Sequence, residues 1–171
     1  MPKYKKNNEE VSDGVNLLIS ILVRYPEIGT ISFDPQNNWL KLTFMLSTIP
    51  SQLDFLNAKQ LLKSSIIAYT TLEGLTLKTV DIQLDTFEKV AMLSIFRDVH
   101  TISKNEIALL IALLRKTFKD LIIDYNDSLL EEDLLLQEEV IEDMLTNLKT
   151  HYDENRLIGI REDGRVLVFN K

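Results

Sequence analysis

Residues 103–125 read SKNEIALLIALLRKTFKDLIIDY. Ser103, with Glu106 three positions on, has the spacing of a capping box, in which a hydroxyl and a carboxyl satisfy free amides at a helix start. From Ile107 to Leu114 the run is apolar without a break. A helix through it has no polar side to turn to water, so it needs cover on several sides. It is too short to cross a bilayer, which takes about 20 apolar residues. The stretch therefore reads as a helix over 103–125, packed against a sheet, other helices or a second copy of the chain. Ile107, Leu110, Ile111 and Leu114 are its candidate interface.

Before this helix one pattern occurs twice. Residues 9–25 predict a helix with Val15, Leu18, Ile19, Ile21, Leu22 and Val23 on its apolar side, capped at Ser12 and stopped by Pro26. Two strands follow, 29–33 and 39–46, around the turn cluster Asp34-Pro35-Gln36-Asn37-Asn38. In the second strand Leu40, Leu42, Phe44 and Leu46 alternate with Trp39, Lys41, Thr43 and Met45, which predicts one buried face. A second helix runs from the Pro50-Ser51 break to about Leu72, with Phe55, Ala58, Leu61, Leu62, Ile66 and Tyr69 facing inward and Gly74 past its end. Strands over 75–84 and 89–97 complete the unit, with a change of apolar parity at Lys78-Thr79 and a turn opening at Asp85-Thr86. The return strand is apolar on both faces, which suggests a central strand covered on two sides.

After Tyr125 comes an amphipathic helix over about 129–151, its stripe formed by Leu130, Leu134, Ile141, Met144, Leu145 and Leu148, with a second capping box possible at Ser128 and Glu131. Strands 158–161 and 165–169 flank Glu162-Asp163-Gly164, and Asp-Gly between such runs is a strong hairpin signal. The expected fold is α+β: two helix–strand–strand units form an antiparallel sheet packed on helices, with a C-terminal helix and β-hairpin added. The hairpin extends that sheet to six strands, or belongs with residues 129–171 to an arm that reaches a partner. Residues 1–8 read as a flexible tail and 9–171 as one domain.

The chain has 171 residues, 45% of them apolar, enough to bury a core without disulfides or metal. It has no cysteine, which excludes thiolate metal sites and a cysteine nucleophile. A net charge of −7 argues against a nucleic-acid partner. Glu9, Glu10 and Asp13 precede the first apolar stretch where a signal peptide would carry basic residues, so a cytoplasmic location with no membrane contact is expected.

Between Asp120 and Asn147 there are ten carboxylates and no Lys or Arg. Glu131, Glu132, Glu138, Glu139, Glu142 and Asp143 are therefore a candidate docking face for a basic protein, against the commoner reading of a solvated helix face. Residues 124–135 open like a calcium loop, but Leu129 and Leu135 stand where glycine and glutamate are diagnostic. His151-Tyr152-Asp153-Glu154 is too contiguous to converge on one ion, so no metal is expected. Trp39 and His100 are the candidate pocket for a small molecule, and Asp98 or Glu106 could orient His100 as a base. No nucleophile motif, P-loop or dinucleotide fingerprint accompanies them, so no catalytic residue and no cofactor is assigned. Arg115, Lys116 and Lys119, the basic cluster, are expected to pair with nearby carboxylates. The order of elements recurs in unrelated small proteins and carries no function by itself. The expectation is a non-catalytic interaction, scaffold or adaptor domain acting as a homodimer. The alternative is a small-molecule-sensing regulatory domain.

Overall fold

The computed structural model describes residues 14–124, 131–150 and 155–170. Their elements are α1 (14–24), β1 (Thr30–Asp34), β2 (Trp39–Leu46), α2 (Gln52–Leu72), β3 (Val80–Phe87), β4 (Val90–Asp98), α3 (Lys104–Thr117), α4 (Glu131–Thr150), β5 (Leu157–Glu162) and β6 (Arg165–Asn170). The fold is α+β, and all strand pairs are antiparallel in one sheet ordered β3-β4-β2-β1-β5-β6. The C-terminal hairpin extends this chain's own sheet, with Phe33 paired to Leu157 and Ile31 to Gly159.

The pairing sets one apolar row across the sheet: Ile82, Ile95, Leu42, Ile31, Gly159 and Val168. This face joins the core, together with Leu17, Leu18, Ile21 and Leu22 of α1, Ala58, Leu62 and Ile66 of α2, and Ile141 and Leu145 of α4. At Gly159 the side chains of α1 lie close against the sheet. A Cβ there would stand 3.0 Å from Leu22 Cδ1 and 3.1 Å from Ile31 Cγ2. Gly159→Val should therefore destabilise the chain by about 1–3 kcal/mol through overpacking. Urea unfolding measures it, and an unchanged midpoint would show that α1 is free to shift away.

The opposite face carries Trp39, Met45, Met92, Phe96, Ile158 and Leu167, all half-buried, and none of them belongs to the core. Trp39 meets Phe96 edge-on at 5.1 Å, with the Lys41 ammonium 5.4 Å from the same ring. The expectation that β4 is covered on two sides is thus corrected. Its outward residues take partial shelter from neighbouring strands, because no described helix packs there.

Other boundaries also move. The predicted strand over 75–84 starts at Val80, because the Lys78 and Thr79 amides donate to the Asp98 carboxylate instead of to a neighbouring strand. It runs on through Asp85 and Thr86 to Phe87, and the chain reverses at Glu88, whose φ is 55°. At the last hairpin Asp163 and Gly164 both have positive φ, 52° and 76°, as a type I′ turn requires. The neighbouring Arg161 donates to the carbonyls of Leu22, Tyr25 and Ile28, so its guanidinium closes the C-terminal end of α1. Burial pulls this guanidinium below its ordinary pKa, and Asp124 and Glu27 work against that shift.

The helix quoted first ends at Thr117 and not near Tyr125. Phe118 turns extended, and Leu121 bridges to Leu46 beside the end of β2, followed by an Ile122 amide bond to the Met45 carbonyl. These residues fill the position beside β2 that β1 starts too late to occupy.

Ser103 caps α3 by accepting from the Glu106 amide, but the reciprocal half of the capping box is absent. The Glu106 carboxylate turns inward and takes Arg97 at both oxygens, 2.6 and 2.7 Å. Arg97, fully buried on the helix side of β4, uses all five donors: on Glu106 twice, Asp98, the Thr79 carbonyl and Thr101. Asp98 accepts in addition from the amide and hydroxyl of Thr101. This cluster fixes the start of α3 to the end of β4.

Burial works to raise the Asp98 carboxyl, but donors from Thr79, Thr101 and Arg97 outweigh it and hold it below the usual range. Asp34 behaves alike: burial raises it, and donors from Asn37 and Gln36, with Arg156 nearby, bring it lower. Glu106 goes the other way, pushed up by burial against the pull of Arg97. A carboxyl lowered on folding stabilises the fold above its unfolded pKa of about 3.9, and that help fades as pH falls through the lower folded value. Asp98→Asn should therefore cost most near neutral pH, and the gap to wild type should close below about pH 4. Urea unfolding across this range tests it; a gap that widens in acid would reverse the assignment.

Candidate interaction surface

The four residues proposed from sequence as an interface, Ile107, Leu110, Ile111 and Leu114, are buried inside the chain. They face the sheet and cannot meet a partner as the fold stands. The outer side of α3 holds Ala108 and Ala112, both exposed, and the half-buried Leu109, while Leu113 packs against the core. One flank of this helix is therefore open, contrary to the expectation of cover all round. Water tolerates it because two of its residues are alanines.

The largest set of exposed apolar side chains on one described element lies on α2, and Phe87, Ile122, Leu135, Leu136 and Phe169 are exposed elsewhere. Ser51 caps this helix by accepting from the Asp54 amide. Ala58, Leu62, Ile66 and Thr70 face the core. On the other side Leu53 is 67% exposed, Leu56 51%, Leu61 44%, Ile67 48% and Leu72 86%. The residues between them on that side are Asn57, Gln60, Ser64, Ala68 and Thr71, exposed and uncharged, with one charged residue, the exposed Asp54, on the flank of Leu61 and Leu72. Leu61, expected inward, is thus corrected to the outer flank. A helix of 21 residues is about 30 Å long, so the stripe spans most of the molecule. With Ile49 and Leu75 at its ends it exposes roughly 700 Å², against about 800 Å² per partner in a standard stable interface and a few hundred Å² for the usual apolar patch of a lone chain.

At the start of α2 the stripe runs into a cleft of about 520 Å³. Ile49, Pro50, Leu61 and Phe118 form its apolar wall, and Asp54 and Lys119 its polar rim. A second cavity of about 410 Å³ lies beside β6, between Ile19, Val23, Arg161 and Val166. Neither is lined by Trp39 or His100. Trp39 lies on the open sheet face and His100 is exposed in the link before α3. The carboxylates that were to orient His100 are held by Arg97 and Thr101 instead.

On α4 the acidic residues divide. Glu138 accepts from Arg24 at 2.8 Å and Glu142 lies 3.5 Å from Lys104, so both are engaged within the chain. Glu139 and Asp143 are exposed. The side chains of Glu131 and Glu132 lie outside the described residues, as do the suggested Ser128 cap and the whole of His151-Tyr152-Asp153-Glu154. Of the basic cluster, Arg115 pairs with Glu27 at 2.8 Å. Among the described residues no three His, Asp or Glu are grouped to hold a metal ion, and no helix is long and apolar enough to cross a membrane.

No protein-family model matches the chain, and no curated protein or solved structure is detectably similar to it.

Proposed function

We propose that this protein is a non-catalytic interaction module that works as a homodimer, with α2 as the pairing face. The observation that carries the reading is the stripe Leu53, Leu56, Leu61, Ile67 and Leu72, the largest set of exposed long apolar side chains on one described element, whereas Phe87, Ile122, Leu135, Leu136 and Phe169 are exposed elsewhere in ones and twos. Burial at about 25 cal/mol per Å² makes removing such a stripe from water strongly favourable. A large exposed apolar patch marks an interaction site far more often than it marks a catalytic one. In support, the buried side-chain polar atoms of the described residues all have hydrogen-bond partners, and the Arg97 cluster is closed to solvent, so it serves architecture better than chemistry. The half-buried sheet face around Trp39 and Phe96 leaves a second surface for a different protein once the dimer has formed.

Light scattering on the eluting protein tests this reading. The expected mass is twice 19.7 kDa. A mass of one chain at micromolar concentration and above would end it.

A further inference from the structure

The arrangement of α2 says more than that two copies meet. Resting on the homodimer reading, we infer that the two α2 helices pack antiparallel about a twofold axis between Gln60 and Ser64, and that Leu72 of each copy fills the other copy's cleft beside Ile49 and Pro50.

The register follows from size and charge along the stripe. With the axis between Gln60 and Ser64, Leu53 of one copy lies over Thr71 of the other, because the two are about five whole turns apart and share one line along the helix, and Gln60 lies over Ser64. Large residues thus meet small ones, which is what close helix packing at a shallow crossing needs. A twofold pairing is self-complementary by construction and closes at two chains. Antiparallel alignment also places Glu73, just past the end of one helix, beside Ser51 at the start of the other. A carboxylate is favoured at a helix N-terminus. Parallel alignment would instead set Glu73 against Glu73 and Asp54 against Asp54, in a chain that already carries −7.

The cleft supplies the independent observation. Leu72 is the most exposed of the large apolar residues, at 86%, and nothing in its own chain shelters it. It stands about three turns beyond Leu61, hence on the same flank of the helix. Leu61 is also part of the cleft wall. A twofold axis perpendicular to the helices keeps equivalent flanks on one side, so Leu72 of one copy arrives on the cleft side of the other. Residue 72 is ten positions from the axis and residue 52 is ten positions the other way, which puts Leu72 at the mouth formed by Ile49 and Pro50. The cleft is large enough for a leucine side chain, and its apolar wall suits one.

The absence of cysteine makes the test clean. Two double variants, Leu53→Cys with Thr71→Cys and Leu72→Cys with Ile49→Cys, should each become covalent dimers under mild oxidation. The four corresponding single variants should stay non-covalent. In each double variant the two thiols of one chain are too far apart to bridge, since a disulfide needs Cα atoms within about 7 Å. Circular dichroism matching wild type confirms that each variant is folded. If the protein is a dimer by light scattering but Leu53→Cys alone cross-links, or neither pair does, the register fails and the homodimer stands. If the mass is that of one chain, both fail together.

Discussion

Alanine in place of Arg97 should destabilise the fold by about 3–5 kcal/mol, the cost of breaking a buried ion pair by removing one partner. The reason is what remains. Glu106 is fully buried and both of its oxygens face Arg97. Without the guanidinium it must take up a proton or lie charged in an apolar core, and either raises the energy of the folded chain. Asp98 would suffer less, because the amides of Lys78, Thr79 and Thr101 still donate to it. This difference makes a second variant informative. Arg97→Leu combined with Glu106→Leu removes both charges, and apolar pairs of similar volume often replace buried ion pairs at little cost. Most of the lost stability should return in the double variant. Urea unfolding of the three proteins reads the result. A loss under about 1 kcal/mol for Arg97→Ala would mean that water reaches the cluster.

Lysine at both Leu56 and Ile67 should convert the proposed dimer to single chains, raising the dissociation constant roughly 700-fold or more, in keeping with two interface hot spots of about 2 kcal/mol or more each. Both side chains are about half exposed in the isolated chain. Surface changes away from packed features shift stability by only about 0.5 kcal/mol. The double variant should therefore unfold as an isolated chain does while losing its partner. Sedimentation equilibrium over a micromolar range measures the affinity, and circular dichroism checks the fold. Should the doubly charged protein remain a dimer of unchanged affinity, α2 is not the pairing face.

The element order, the Asp-Gly hairpin and the one-sided alternation of β2 were legible because each has a local physical signature. Period-two alternation from Leu40 to Leu46 needs no tertiary information, and neither does a turn that demands positive φ. The burial of Ile107, Leu110, Ile111 and Leu114 also followed from pattern. What misled was the step from an apolar run to cover on every side. Ala108 and Ala112 count as apolar in composition, yet they expose too little surface to force a partner. The real surplus was in α2, where Leu53, Leu56, Leu61, Ile67 and Leu72 lie out of phase with Ala58, Leu62 and Ile66. A helical wheel of that segment carries two apolar sides, a signal present in the sequence but hidden once Leu61 is assigned inward. The Arg97 cluster was not legible in this way. An arginine within a strand reads as solvent-facing until the sheet is built, and Glu106 matched a local capping pattern that the fold uses only by half.

The place of β5 between β1 and β6 has a consequence for how the molecule comes into being. On the ribosome β1 emerges with β2, yet one of its edges has no neighbour until β5, which starts at Leu157, has been made. The nascent chain therefore carries an unsatisfied strand edge while everything from Pro35 to Arg156 is added, and joining such distant segments is an intrinsically slow step in folding. During that interval the β1 edge is the point at which a chaperone would do most to prevent mispairing between growing chains.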